Sequence, residues 1–296
     1  MIDPEWILYL RSEYLTEFFI LLPFLANGVF YISTIAIGHW LRPGGWTFIQ
    51  LGFLVPFATI VNLILKHSFA IIRPHEDLHL VHVESILGFP SGDVQVAVVF
   101  WGICALRWTN KYFRAFSIII IALIMSSRIY LGVHSLPDVI AGLCFGLITL
   151  LWWKLNITQT MVRSWFSGKA SSYWGILLAM FTLYFLTVEE DITSSLFIVS
   201  SGALIGYGLS LKNIARWSYE PGMFSTYHIT SICLSYIMLI IMATVIPTIN
   251  FNTTTIIVSG VLESGLLIFM IFSVFPYIQK TIARLEYEKS ARNDDL

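Results

Sequence analysis

Three short polar clusters interrupt an otherwise apolar chain, and their side chains are of the kinds that hold and attack a phosphate group. The first, Lys66-His67-Ser68-Phe69-Ala70-Ile71-Ile72-Arg73-Pro74, sets a lysine and an arginine seven residues apart ahead of a proline. The second is Pro90-Ser91-Gly92-Asp93, and the third runs from Ser127 and Arg128 through Gly132, His134 and Pro137 to Asp138. A phosphate spreads its negative charge over equatorial oxygens that need fixed donors in a partly dry site. Lys66, Arg73 and Arg128 supply positive charge, and an arginine fork matches two such oxygens at once. Ser91 and Gly92 stand just before an apolar run, so their backbone N–H groups fall at a helix N-terminus, a natural anion site that glycine lets the ligand approach. His134 and Asp138 are spaced i, i+4 and share a face if that stretch is helical. A carboxylate on one ring nitrogen leaves the other as a nucleophile or base.

The elements that must position these groups are membrane spans. Of 296 residues, 57% are hydrophobic and only 12% charged, with a mean hydropathy of +0.78, far from the soluble average. The expected fold is all-α, a polytopic transmembrane bundle. A span needs about 20 apolar residues, and nine stretches qualify: Phe18 to Gly38, Trp46 to Leu65, Val94 to Arg107, Ala115 to Ser127, Val139 to Trp153, Tyr173 to Val188, Leu196 to Leu211, Ile229 to Ile246 and Ile256 to Ile278. The third to fifth are short and extend into the polar clusters, which must then lie at a membrane face or in a wet cavity. The chain divides into an N-terminal segment with the first span (1–45), a core holding all three clusters (46–155), and additional spans with a tail (156–296). The acidic start, with Asp3, Glu5, Glu13 and Glu17, does not read as a cleaved signal.

Charge placement sets the orientation. With nine spans, Arg11, Lys66, Arg73 and Arg128 fall on the N-terminal side and the other 13 of the 17 Lys and Arg residues on the opposite side, which is therefore expected to be cytoplasmic along with the C-terminus. Three of the four exceptions belong to the clusters, so cations that oppose the topology signal have another task. The clusters share the non-cytoplasmic face.

Taken together these residues resemble the type 2 phosphatidic acid phosphatase superfamily, whose pattern is K-x6-R-P, then P-S-G-H, then S-R-x5-H-x3-D. The resemblance covers Lys66 to Asp138. It implies a metal-independent, cofactor-free reaction in which His134 attacks phosphorus to give a phosphohistidine that water cleaves, Asp138 orients His134, and Lys66, Arg73, Ser91, Gly92 and Arg128 hold the phosphate. The first motif directly after the second span, with Ser-Arg-Ile-Tyr-Leu in the third, resembles the glucose-6-phosphatase branch. Asp93 departs from the pattern, standing where the family has the histidine that protonates the leaving oxygen. An ordinary aspartate, with a pKa near 3.9, is ionised at neutral pH and a poor acid. Three readings stay open: a phosphatase with Asp93 as its acid, one that uses His79 or His82 or needs no acid for a good leaving group, and a non-catalytic binding or transport protein. The expected substrate is a lipid phosphate monoester or diphosphate entering from the surrounding membrane lipid, with transfer to a second acceptor as a variant.

The remaining polar residues read more plainly. His75, Glu76, Asp77, His79 and His82 form a solvated loop rather than a metal site. Cys104, Cys144 and Cys233 sit in apolar runs as small buried hydrophobes. Trp40, Trp46, Trp101, Trp108, Trp152, Trp153, Trp165 and Trp174 near segment ends suggest an aromatic belt, and His39 and His228 mark interfacial ends. Glu263, inside the last span, is read as facing the bundle or protonated, and Asn252-Thr253-Thr254 is a sequon on the outer side. A net charge of −1 gives no pointer to nucleic acid, and no such partner is expected.

Overall fold

A computed structural model describes residues 5–41, 45–83, 85–156, 192–214, 233, 236–237 and 264–294. Helices dominate these residues: α1 Glu13–Leu21, α2 Gly28–Leu41, α3 Trp46–Phe69, α4 Gly92–Arg107, α5 Lys111–Tyr130, α6 Leu136–Asn156, α7 Ile192–Ile214 and α8 Phe275–Asp294. The extended pairing among them is a lone antiparallel bridge, Ile72 with Leu87. Four helical stretches are each long and apolar enough to cross a membrane: Trp46–Phe69, Lys111–Tyr130, Leu136–Leu155 and Ser264–Ile282. Glu13–Ala26 and Gly28–Leu41 qualify together as a fifth, bent by 51°. The expected third span is α4, which at 16 residues falls short of spanning alone. The expected sixth span, Glu263, Asn252 and His228 lie outside the described residues, as does most of the eighth span.

The chain divides into two compact units. In the first, which includes residues 1–32 and 53–158, α4 is the central helix, with Val94 through Trp101, Ile103 and Cys104 buried. It packs on α6 through a G-x-x-x-G pair, because a Cβ on Gly142 would lie 2.6 Å from the Ser91 carbonyl oxygen and one on Gly146 2.7 Å from the Val98 Cβ. Backbones that close have no room for side chains. Helix α5 turns Ser117, Ile120, Ile124, Ser127 and Arg128 inward at helical spacing, and leaves Ile118 and Ile119 exposed on the opposite side.

In the second unit, a π-helical turn, Met270–Val274, precedes Pro276. Proline has no N–H and its ring crowds the carbonyl four residues back, so the helix widens there. The Ile271 carbonyl in that turn accepts from Trp40 Nε1 at 2.9 Å, and Tyr207 donates its hydroxyl to the Ile49 carbonyl at 2.7 Å.

Several expectations about placement are corrected here. Trp40, Trp101 and Trp153 are buried inside the units rather than set in a belt, and His39 is fully buried with its ring 4.6 Å from Phe272. Large rings fill space between helices where small residues bring backbones close, and that gain outweighs an interfacial seat. Cys104 is buried, but Cys144 and Cys233 are exposed, since an apolar face of a span needs no protein neighbour.

Candidate active site

Local sequence builds each piece of the site. Helix α3 ends when Ala70 takes a left-handed conformation, φ 49°, with its N–H still donating to the Lys66 carbonyl at 2.8 Å. The chain then runs back on itself: Arg73 N–H donates to the Ile86 carbonyl at 2.9 Å and Gly88 N–H to that of Ile71 at 2.8 Å. This pairing sets Arg73 beside the segment whose Leu87 carbonyl accepts from Lys66 Nζ at 2.6 Å. Helix α6 opens on Ser135-Leu136-Pro137-Asp138, with proline in the first turn where its missing N–H costs nothing. The Asp138 carboxylate reaches back to accept from Ser135 N–H at 2.7 Å, the return half of a capping box. That bond fixes the carboxylate before any histidine is considered.

His134 lies in the turn between α5 and α6, 1% exposed. Its Nε2 is 2.9 Å from Arg73 Nη1. A guanidinium only donates, so Nε2 carries the lone pair and Nδ1 the proton. Nδ1 faces Asp138 Oδ2 at 3.7 Å, too long for a hydrogen bond but close for an electrostatic hold. Burial drives the His134 pKa down, the Asp138 carboxylate pulls it back, and Arg73 and Lys66 push it down again; the imidazole is neutral. A neutral ring with its Nε2 lone pair against a guanidinium has the chemistry to act as a nucleophile toward an anion that the cation attracts.

Around it stand the residues expected to hold an anion. Ser91 is the N-cap of α4, completely buried, and its N–H donates to the Asp138 carbonyl at 3.0 Å. Among the described residues neither Ser91 Oγ nor Arg128 Nε has a hydrogen-bond partner although both are buried. Such donors are costly to leave unmet, and an anion satisfies both. Gly92 packs so tightly that a Cβ would lie 2.8 Å from Asn62 Oδ1. Lys66 is 5% exposed, and it is near enough to depress the pKa of both Asp93 and His134.

Asp93, in the first turn of α4 ahead of the apolar run, faces Arg128 Nη1 at 3.0 Å. Burial favours its neutral form, but Arg128 first, and Arg73 and Lys66 with it, hold the carboxyl below its ordinary pKa. An aspartate held so is a carboxylate at neutral pH. All eight residues marked out in the sequence (Lys66, Arg73, Ser91, Gly92, Asp93, Arg128, His134 and Asp138) belong to the first unit. The histidines of the connecting loop are arranged differently. His79 Nε2 lies 3.1 Å from the Pro74 carbonyl, and His82 is exposed. His75 pairs with Asp77 at 3.1 Å with both side chains largely in solvent.

Sequence reasoning passed over Asn62 and Gln95. Asn62 Nδ2 donates to the Pro90 carbonyl at 3.2 Å and to Gln95 Oε1 at 2.9 Å, tying α3 to the turn that opens α4. The signal was available: an amide inside a span is expensive and needs a reason, and Asn62 lies one helical turn before Lys66.

No curated protein matches the chain. Among solved structures, it is similar to the first transmembrane PAP2 type phosphatidylglycerolphosphate phosphatase from Bacillus subtilis, with 27% identity over 51% of this chain and 81% of that one, and a TM-score of 0.46. Residues 47–162, which hold all three polar clusters, match the model of the PAP2 superfamily.

Proposed function

We propose that this membrane protein is a phosphatase that removes phosphate from a lipid phosphate monoester or diphosphate through a phosphohistidine on His134. The observation that supports the reading is the 2.9 Å approach of Arg73 Nη1 to His134 Nε2, which leaves the Nε2 lone pair facing the guanidinium proposed to bind phosphate. When phosphate binds, Arg73 turns its fork to the equatorial oxygens, joined by Arg128, Lys66 and the Ser91 hydroxyl, and uncovers Nε2. Nε2 attacks phosphorus as the bond to the leaving oxygen breaks. Nδ1 keeps its proton, and Asp138 offsets the positive charge that grows on the ring.

Asp93 enters at the second step. Paired with Arg128 and ionised, it carries no proton to give the leaving oxygen but can accept one from water. Water attacks phosphorus, its proton passes to Asp93, and the P–N bond pair returns to Nε2. Without a strong acid in the first step, a lipid diphosphate, whose leaving group is itself a phosphate, reacts faster than a monoester. The asymmetry of lysine and arginine supports a site on the non-cytoplasmic face with the C-terminus cytoplasmic. The exposed apolar faces around the first unit support lateral entry of a lipid.

A second reading, a lipid phosphate binding or transport protein, is favoured by one observation, the carboxylate at the position where an acid is needed. Purified protein assayed for phosphate release from phosphatidic acid, phosphatidylglycerol phosphate, undecaprenyl diphosphate and glucose 6-phosphate separates the two, with His134→Ala alongside. Release that disappears in His134→Ala, together with an acid-labile phosphoryl adduct on His134, is the expected result. Wild type no more active than His134→Ala on every substrate would leave the binding reading.

A further inference from the structure

Of the four basic residues on the expected outer side, three belong to the phosphate clusters; the fourth, Arg11, lies outside the matched family stretch altogether. In the folded chain it sits just ahead of α1 and turns its Nη2 onto the carbonyl of Leu78, in the loop joining the first two clusters, and to that of Tyr130 at 3.4 Å, at the end of α5. The same corner is tied a second way. The Tyr130 hydroxyl lies 2.9 Å from Thr16 Oγ1 and accepts from Ser12 N–H at 3.2 Å, and the Phe19 ring stacks on Tyr130 at 4.3 Å. Leu80 N–H donates to the Leu131 carbonyl at 3.0 Å. Gly132, at φ +73°, brings its backbone so close to Leu78 that a Cβ would run into that carbonyl and lie 3.1 Å from Arg11 Nη2.

What this knot holds is the turn that carries the nucleophile. Tyr130, Leu131 and Val133 form a buried cluster with Phe19, Leu80, Val81 and Val83 packed against it. The next groups along are the Val133 carbonyl, which accepts from Arg73 Nη1 at 2.8 Å, and His134, whose N–H donates to the Arg128 carbonyl at 3.3 Å. The height of residues 130–134 against the 75–83 loop therefore sets where Nε2 stands relative to Arg73. Left to the loop alone, that height would rest, among the described residues, on the Leu80–Leu131 backbone hydrogen bond and on the apolar packing of Leu80, Val81 and Val83.

We infer that Arg11, with the segment Ser12 to Phe19 behind it, is a positioning element for His134 that this chain adds to the family stretch. Arg11 touches neither phosphate nor nucleophile. It joins a carbonyl of the connecting loop to one of the third cluster with one guanidinium, so that the attacking nitrogen and its arginine cap move as one body. The inference rests on the phosphohistidine reading. A small misplacement of a nucleophile lowers turnover while the phosphate ligands still bind, so the effect falls on kcat rather than KM.

The test uses full-length protein in detergent or vesicles, measuring steady-state phosphate release with lipid diphosphate for wild type, His134→Ala, Arg11→Ala, Arg11→Lys and Tyr130→Phe. Arg11→Ala is expected to lower kcat by about tenfold or more with KM within about threefold. Added ethylguanidinium should restore part of the lost rate, and Arg11→Lys, with one compact donor group, should fall between. Tyr130→Phe keeps the stack but removes the Ser12 and Thr16 hydrogen bonds, and a smaller kcat loss is expected; it stands in if Arg11→Ala fails to fold. Unchanged kcat in Arg11→Ala, or in Tyr130→Phe where only that variant folds, overturns the inference, as does a loss carried by KM. Wild type that matches His134→Ala overturns the phosphohistidine reading instead, which keeps the two failures apart.

Discussion

Asp93 faces Arg128 across 3.0 Å with 40% of its side chain exposed, which makes the pair an electrostatic setting of the site more than a source of stability. Its depressed pKa fixes a sign. A carboxyl held below its ordinary value near 3.9 stays ionised, and the pair stays intact, above that value; both are lost as pH falls through the lower, folded value. If ionised Asp93 receives the proton from water, diphosphate hydrolysis should stay level from about pH 8 to about pH 5 and fall only below the ordinary carboxylate range. A pH–rate profile checks this, and an acid limb near pH 6, or the same limb in Asp93→Asn, would count against it. Restoring a histidine tests the other half of the argument. General acids contribute about 10² to 10⁴ in rate, so Asp93→His should raise hydrolysis of phosphatidic acid by about 10² while changing diphosphate hydrolysis less than tenfold. Equal gains on both substrates would sink the leaving-group argument. The residue types at seven of the eight positions were readable without a structure because each carries its own chemistry. The effect of the eighth was not, since two opposing influences on Asp93 are decided by how near Arg128 stands.

Helix starts and close approaches position the ligands, and glycine is the lever at this scale. Gly92→Ala would set a Cβ 2.8 Å from Asn62 Oδ1, whose amide is already held by Pro90 and Gln95. Gly142→Ala would set one 2.6 Å from the Ser91 carbonyl, which is backbone and cannot swing aside. Each is expected to cost about 1 to 3 kcal/mol, read as a lower Tm in detergent, and Gly142→Ala should also raise KM because it displaces Ser91. The reverse holds at Ala70, where a non-glycine residue sits at φ 49°. Ala70→Gly should relieve strain and leave stability equal or about 1 kcal/mol higher; a clear loss of Tm would show that the turn is not strained. The opening of α4 was legible, since Ser91 and Gly92 ahead of an apolar run mark a helix start through local geometry, whereas His134 falls in the turn before α6 and not on one helical face with Asp138. The fold-back that pairs Arg73 with Ile86 was not, because it joins residues across a loop whose composition says only that it is polar.

At the scale of the whole chain, the distribution of lysine and arginine predicts which face of the membrane the site meets. With Cys104, Cys144 and Cys233 replaced by serine, His82→Cys in the exposed loop should react with a membrane-impermeant maleimide only from the side opposite the C-terminal tail; labelling from the tail side would reverse the topology. Composition determined that the protein is an all-helical membrane protein, because a long apolar run has few other stable solutions in lipid. Motif spacing marked out eight candidate residues and the phosphate chemistry proposed for them, because those signals are local. The interior seats of Trp40, Trp101, Trp153 and His39 were decided by packing, since an apolar helix face reads the same whether lipid or protein covers it. Only the tertiary structure decided that Arg73 covers His134, that Asp93 answers Arg128, and that Arg11 holds Tyr130. Those partners meet across 61 residues in the first case and 119 in the last, and no spacing along a chain records which helix faces will be brought together.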